Sequence, residues 1–269
     1  MSENKGERLD AYLVAAGYAG GRDKAKELLS TGQVLVNGIP VTKASRRITA
    51  EDTVVCEAPR QQYVGRGGLK LEQAIAKAGL TLSGVTAMDV GASTGGFTDC
   101  MLQNGAAHVY AVDVGHDQLH PSLREDSRVT NLEGTDIRSE ALARAVAAGS
   151  VGFCSVDVSF VSLSHVLPAI LPYLAAEATL VCLIKPQFEA GKAAIGKHGV
   201  VKDRKAHLRV LAEQVTLFTE WGLTPLWLGY SPITGGEGNI EYLAVLRRGT
   251  PTPVDVSAVV DAAFTELTK

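Results

Sequence analysis

The stretch Met88-Asp89-Val90-Gly91-Ala92-Ser93-Thr94-Gly95-Gly96-Phe97-Thr98 decides how the rest of the chain is read. Apolar residues run into a glycine, a loop of small residues follows, and Phe97 and Met101 then resume helical spacing, which predicts strand, turn and helix. Gly91 lets the backbone turn sharply, while Gly95 and Gly96 omit side chains so that a ligand can approach the helix start. Such a turn suits a nucleotide, although the loop departs from the strict dinucleotide pattern and alone is a weak signal. Downstream, Val109-Tyr110-Ala111-Val112 predicts a second strand ending on Asp113. That is about 20 residues beyond Gly91, where an acidic side chain can accept hydrogen bonds from ribose hydroxyls.

Beyond Asp113 the pattern keeps alternating. Strands are predicted over 129–132, 152–158, 179–184, 223–230 and 240–246, and helices over 139–148, 163–174, 203–221 and 256–267. This is the signature of a doubly wound α/β sheet, in which ligands lie outside the carboxyl ends of the parallel strands. Gly91, Asp113, Asp136, Asp157 and Lys185 each fall at or just past such an end. Burying Asp157 unpaired would cost several kcal/mol, so it needs a partner or a task. Lys185 follows Leu180-Val181-Cys182-Leu183-Ile184 and precedes Pro186, which cannot continue a ladder, so the strand delivers an ammonium to the rim. In Asn239-Ile240-Glu241-Tyr242-Leu243-Ala244-Val245-Leu246 both faces are apolar. If this last strand runs antiparallel to the others, its start lies at the same edge and Glu241 joins Asp157 and Lys185. A structural salt bridge is the alternative, since buried charges are usually paired. Lys70 begins a helix marked by Leu71, Ala74, Ile75 and Ala78, where the helix dipole disfavours a cation unless something compensates.

The front of the chain reads differently. Leu9, Tyr12, Leu13 and Ala16 mark a short helix and Ala25, Leu28 and Leu29 a second, with Arg22 and Lys26 sharing its outer face. Val34, Val36 and Val41 form short strands about Asn37-Gly38, followed by the basic group Lys43, Arg46 and Arg47. Residues 58–64 show no periodicity and contain Pro59, so the reading is a domain over 1–57, a linker over 58–64 and a second domain over 65–269.

Composition narrows the class. Hydrophobic residues are 46% and charged residues 20% of 269, as in an ordered globular protein. The net charge of -3 hides an asymmetry: residues 1–70 carry 11 Lys/Arg against 8 Asp/Glu, and the remainder 15 against 21. A polyanion would be met by patches, not by the field of the whole molecule. The four cysteines have no Cys-x-x-Cys spacing and read as free thiols, and the six histidines form no metal pattern. No apolar run approaches the ~18 residues of a membrane span, and no secretory signal is evident, so the expectation is a cytoplasmic protein without metal or membrane partner.

Two resemblances follow from these motifs. Arg8-Leu9-Asp10, Arg22-Asp23-Lys24-Ala25-Lys26-Glu27-Leu28-Leu29 and Gly32-Gln33-Val34-Leu35-Val36-Asn37-Gly38 resemble the S4 RNA-binding domain, with Gly21 where that family usually has serine. The resemblance implies that Arg22, Lys26, Arg46 and Arg47 meet folded RNA through phosphates and shape. Lys70, Asp157, Lys185 and Glu241, with the 91–96 loop, resemble the Lys-Asp-Lys-Glu set of FtsJ-like ribose 2′-O-methyltransferases. Together with Gly65-Arg66-Gly67-Gly68-Leu69-Lys70-Leu71, the whole resembles the TlyA family of ribosomal RNA cytidine-2′-O-methyltransferases, which also carry the name hemolysin. What this implies is a Rossmann-like methyltransferase sheet behind a small α+β S4 domain, S-adenosylmethionine as cofactor, and ribosomal subunits or their RNA as substrate. The cofactor would be held by Asp89, Gly91, Ala92, Ser93, Thr94, Gly95, Gly96 and Phe97, with Asp113 on its ribose and Asp136 and Ile137 near its adenine. Lys185 would activate the hydroxyl, Asp157 and Glu241 orient it, and Lys70 complete the network. Three other readings stand beside it: a dinucleotide-dependent enzyme, which Asp113 also fits, a membrane-active hemolysin, and a ribosome-binding factor with an inactive fold. The glycine-studded basic segment between Lys185 and Arg209 reads as a flap on the RNA backbone.

Overall fold

The computed structural model describes residues 6–57 and 62–268. The chain divides into two compact units, Met1–Arg66 and Gly67–Lys269. Of the expected linker, residues 58–61 lie outside the described residues.

In the first unit the elements are β1 (Glu7–Arg8), α1 (Leu9–Ala15), α2 (Arg22–Ser30), β2 (Val34–Val36), β3 (Ile39–Pro40), β4 (Arg47–Ile48) and β5 (Val54–Cys56). The helices bury the residues that repeat at helical spacing, Leu9, Leu13, Ala25 and Leu29, against Val34, Val36 and Ile48. β1 pairs with β4, and β2 lies between β3 and β5, all antiparallel. Arg8 grips the buried Asp10 through two hydrogen bonds of 2.9 and 2.7 Å, which holds the Asp10 carboxyl below the ordinary aspartate range. α2 begins at Gly21 without a capping side chain, as the absence of serine there implies.

The second unit comprises α3 (Gly68–Ala78), β6 (Thr86–Val90), α4 (Gly96–Gln103), β7 (His108–Asp113), α5 (Pro121–Arg124), β8 (Val129–Glu133) and α6 (Glu140–Ala145). It continues with β9 (Val151–Val156), α7 (Leu163–Ile170), β10 (Leu174–Ile184), α8 (Pro186–Glu189), α9 (Arg204–Glu220), β11 (Leu223–Tyr230), β12 (Tyr242–Arg248) and α10 (Val256–Leu267). The sheet order is β11-β12-β10-β9-β6-β7-β8. Strands β6 to β10 are parallel to their neighbours among themselves, and β12 runs antiparallel to both β10 and β11. Leu142, Leu167, Val210, Phe218 and Val260 of α6, α7, α9 and α10 cover the face that presents Met88, Cys154, Cys182 and Ala244. α3 and α4 pack on the other face, where Thr98 of α4 bonds to Asp89 of β6. The chain winds outward from β6 through β7 to β8 and then returns to β9, on the other side of β6. That reversal opens a crevice at the carboxyl ends of β6 and β9.

Boundaries differ from the sequence reading at several places, and the helix expected over 139–148 ends at Ala145. The strand expected over 152–158 stops at Val156, because the chain turns where the Asp157 carbonyl meets Gly91. The helix expected over 163–174 ends at Ile170 and tightens into a 3-10 turn, Leu171–Tyr173, around Pro172. β10 starts at Leu174 rather than 179, across a register shift. β12 is displaced by two residues because Arg247 and Arg248 still pair with Thr224 and Leu223. Cys100, Cys154 and Cys182 are buried and, like Cys56, are not in disulfides.

Candidate active site

Four elements bring the expected charged residues to one edge of the sheet. Lys70 comes from the first turn of α3, Asp157 from the end of β9, Lys185 from the end of β10, and Glu241 from the residue before antiparallel β12. They form two ion pairs. The Lys70 ammonium lies 2.6 Å from Glu241 Oε2, and both side chains are at most 10% exposed. This carboxylate supplies the compensation that a cation at a helix start requires. The Lys185 ammonium lies 2.7 Å from Asp157 Oδ1. Glu241 does not reach Lys185. Its other oxygen accepts from Gln187 Nε2 at 3.3 Å and rests against Gly235, where any β-carbon would stand 2.5 Å from it. Lys185 instead donates a second hydrogen bond, at 2.9 Å, to Ser159 Oγ.

Beside this network lies a cleft of about 510 Å³ lined by Gly91, Ser93, Asp113, Val114, Gln118, Asp136, Ile137, Arg138, Asp157, Ser159 and Phe160, among others. Its size is that of a small-molecule site. Asp113 accepts from the Ser93 and Gly115 backbone N–H groups at 2.8 and 2.7 Å, one on each oxygen. A carboxylate has about four acceptor positions, so capacity remains for a diol. Asp136 takes three donors from Arg138, at 2.7 to 2.9 Å. The guanidinium fork holds its pKa down to about 2.

Gly91, Ser93, Asp113, Asp136 and Ile137 thus face the cleft, whereas Asp89, Ala92, Thr94, Gly95, Gly96 and Phe97 do not line it. Asp89 is fully buried, accepting hydroxyl bonds from Thr98 at 2.7 Å and Ser155 at 2.8 Å. Desolvation lifts its pKa to about 6. It ties β6 to α4 and β9 beneath the loop. Gly91 has φ of 86°, and a β-carbon there would stand 2.5 Å from the Asp157 carbonyl oxygen, so the loop and the end of β9 touch at bare backbone. Gly95 has a different reason from the one its position implied. At φ of 93°, its missing side chain leaves room for Leu123 and Leu119.

In the smaller unit Arg22 and Lys26 are exposed one turn apart on α2, and Lys43, Arg46 and Arg47 line an open hollow with Thr42 and Ser45. Lys26 bonds to Asp23 at 2.7 Å, and Arg47 donates to the Gly6 carbonyl at 2.6 Å. In the basic segment after Lys185, Arg204 is committed to Asp261 and Ser257, and the backbone of Gly199 and Val201 is clipped to Asn239. The far end of the expected flap is therefore part of the fold. Among the described residues no helix is long and apolar enough to cross a membrane, and no cluster of three or more His, Cys, Asp or Glu could hold a metal.

Comparison with known proteins adds a decisive observation: the profile of the FtsJ-like methyltransferases matches residues 63–248. The chain belongs to that family. The S4 domain profile matches residues 7–54. This FtsJ-like chain is 39% identical over 257 residues to the 16S/23S rRNA (cytidine-2′-O)-methyltransferase TlyA of Mycobacterium tuberculosis, covering 95% of each chain. It is 39% identical over 240 residues to Hemolysin A of Brachyspira hyodysenteriae, covering 88% of this chain and 98% of that protein. Among solved structures, a hemolysin-named protein from Streptococcus thermophilus superposes with a TM-score of 0.75 at 39% identity, covering 98% of each chain.

Sequence reasoning missed Ser159, Gln187 and Phe160. Phe160 is 90% exposed with φ of 65°, its ring centroid 5.1 Å from that of Phe188, whose own ring lies 5.8 Å from the Lys185 ammonium. Only the path of the turns brings these side chains together, and composition carries no trace of it.

Proposed function

We propose that this chain is an S-adenosylmethionine-dependent ribose 2′-O-methyltransferase acting on cytidine in ribosomal RNA. The observation that carries the reading is the two ion pairs, the buried Lys70–Glu241 and the half-buried Lys185–Asp157, at the strand edge beside a nucleotide-sized cleft. The name of the mycobacterial relative supports the substrate, and the S4 domain supports an RNA partner.

The residues fit the cofactor. Asp113 has acceptors to spare for a ribose diol, Ile137 and Val114 offer apolar surface, and Gly91 keeps the loop low. Bound there, S-adenosylmethionine supplies an electrophilic methyl group. The chain must hold a ribose hydroxyl close and in line, and positioning of this kind supplies much of the acceleration. Lys185 presents a nitrogen to the hydroxyl, and Asp157 fixes that nitrogen at 2.7 Å. Lys70 and Glu241 brace the opposite side of the site, α3 against β12. The exposed Phe160 ring offers a face on which a nucleobase can stack. In the smaller unit, Arg22, Lys26, Arg46 and Arg47 would neutralise phosphates and orient the RNA without reading sequence. No observation favours the lytic reading.

The test is mass spectrometry of ribosomal RNA after incubation with the full chain and methyl-labelled cofactor. We expect one added methyl on a cytidine ribose. An RNA carrying 2′-deoxycytidine at that position should bind nearly as well and accept no label. Label retained on the deoxy substrate would place the methyl on the base and overturn the reading.

A further inference from the structure

The turn joining β9 to α7 is held at both ends. At its start the Asp157 N–H donates to the Val90 carbonyl at 2.9 Å, and the Asp157 carbonyl rests on Gly91. At its end Glu189 accepts from Ser162 Oγ at 2.6 Å and from the Leu163 N–H at 2.9 Å. Between these anchors Phe160 takes a left-handed φ of 65°, strained for a bulky residue and sustained only where the surroundings enforce it. Ser159 stands at the centre of this constrained turn, exposed, lining the cleft, with its Oγ accepting from the Lys185 ammonium.

An ammonium carries three N–H donors. Asp157 Oδ1 takes one and Ser159 Oγ another. Among the described residues Lys185 has no further hydrogen-bond acceptor, so one donor position is left for a substrate. Glu241 is occupied by Lys70 and Gln187 and does not fill it. We infer that Ser159 is a positioning residue for methyl transfer: with Asp157 it fixes the Lys185 amino group from the cleft side, so that its remaining position serves the ribose hydroxyl. The inference rests on the function proposed above and adds to it a residue outside the four-membered charged set.

The test compares the full chain with Ser159→Ala and Ser159→Thr. In steady-state assays with ribosomal RNA and S-adenosylmethionine, Ser159→Ala should lower kcat roughly tenfold, the scale of one hydrogen bond to a charged group. Both KM values should stay within about twofold, and threonine, which keeps the hydroxyl, should restore most of the rate. A second arm needs no turnover. In ¹⁵N–¹H spectra of lysine ammonium groups, the Lys185 signal, assigned by its loss in Lys185→Arg, should broaden through faster hydrogen exchange in Ser159→Ala and sharpen again in Ser159→Thr. A wild-type kcat together with an unaltered ammonium signal in Ser159→Ala would overturn the inference. So would a loss confined to the KM for RNA, which would make Ser159 a substrate contact. If the unmodified chain methylates no ribosomal RNA, the functional reading fails, and the spectra still decide whether Ser159 holds Lys185.

Discussion

Lys26 and Lys70 each sit on a helix with a carboxylate 2.7 or 2.6 Å away, yet the two units use these pairs in opposite ways. Lys26 and Asp23 are three residues apart, and their side chains are 56% and 92% exposed. Lys70 and Glu241 are 171 residues apart and at most 10% exposed. A local, wet pair forms with or without the fold and exchanges its partner for a phosphate at little cost. A distant, dry pair exists only if α3 and β12 meet, and each charge then depends on the other. Lys26 thus stays available to a phosphate, and Lys70 is committed to Glu241.

The hardest strike on that contrast is Lys185→Ala. It should lower methyl transfer roughly 10³–10⁴-fold while leaving the cofactor dissociation constant, read by calorimetry, within about threefold. Equal loss of binding and turnover would move Lys185 from the chemistry into the cofactor site. Next comes Lys70→Ala, which strands the Glu241 carboxylate in the interior. Denaturant titration should show a loss of about 3–5 kcal/mol, partly recovered when Glu241→Gln is added, because the uncompensated charge is then gone. The smallest effect belongs to Lys26→Ala. Thermal melting should not change measurably, while the slope of log affinity for RNA against log salt should shrink by roughly 0.7–0.9, the share of one phosphate contact. A clear fall in melting temperature with Lys26→Ala would end the contrast, since a local pair would then be supporting the fold.

The same contrast explains what was legible. Residues 223–230 and 256–267 are a strand and a helix within the bounds that their apolar spacing predicts, because period alone decides them. Burial of both faces of 240–246 was legible from their apolar residues, whereas the antiparallel direction entered only as a condition; the pairing with β10 meets it, and Glu241 lies beside Lys70. How the four charges divide into pairs was not legible: Glu241 serves Lys70, and Ser159 takes the second place on Lys185, because Gly235 and the turn after Asp157 steer these groups. Gly95 teaches the reverse lesson. A glycine in a nucleotide loop invites a ligand explanation, and the space it leaves is filled by Leu123 from α5. Position in a motif reports that a side chain is excluded, and only packing reports what excludes it.

The place of β12, last in the sheet by sequence yet seated between β10 and β11, also sets an order in time. The residues lining the cleft run from Val90 to Val166. As the ribosome extends the chain, that cleft is complete in sequence long before Glu241 appears, while β11 waits for β12 to give it a neighbour in the sheet. The Lys70–Glu241 contact spans 171 residues, and contacts this distant along the chain slow folding. On the function proposed above, a nascent chain therefore carries every residue of the cleft before Glu241 arrives to pair with Lys70.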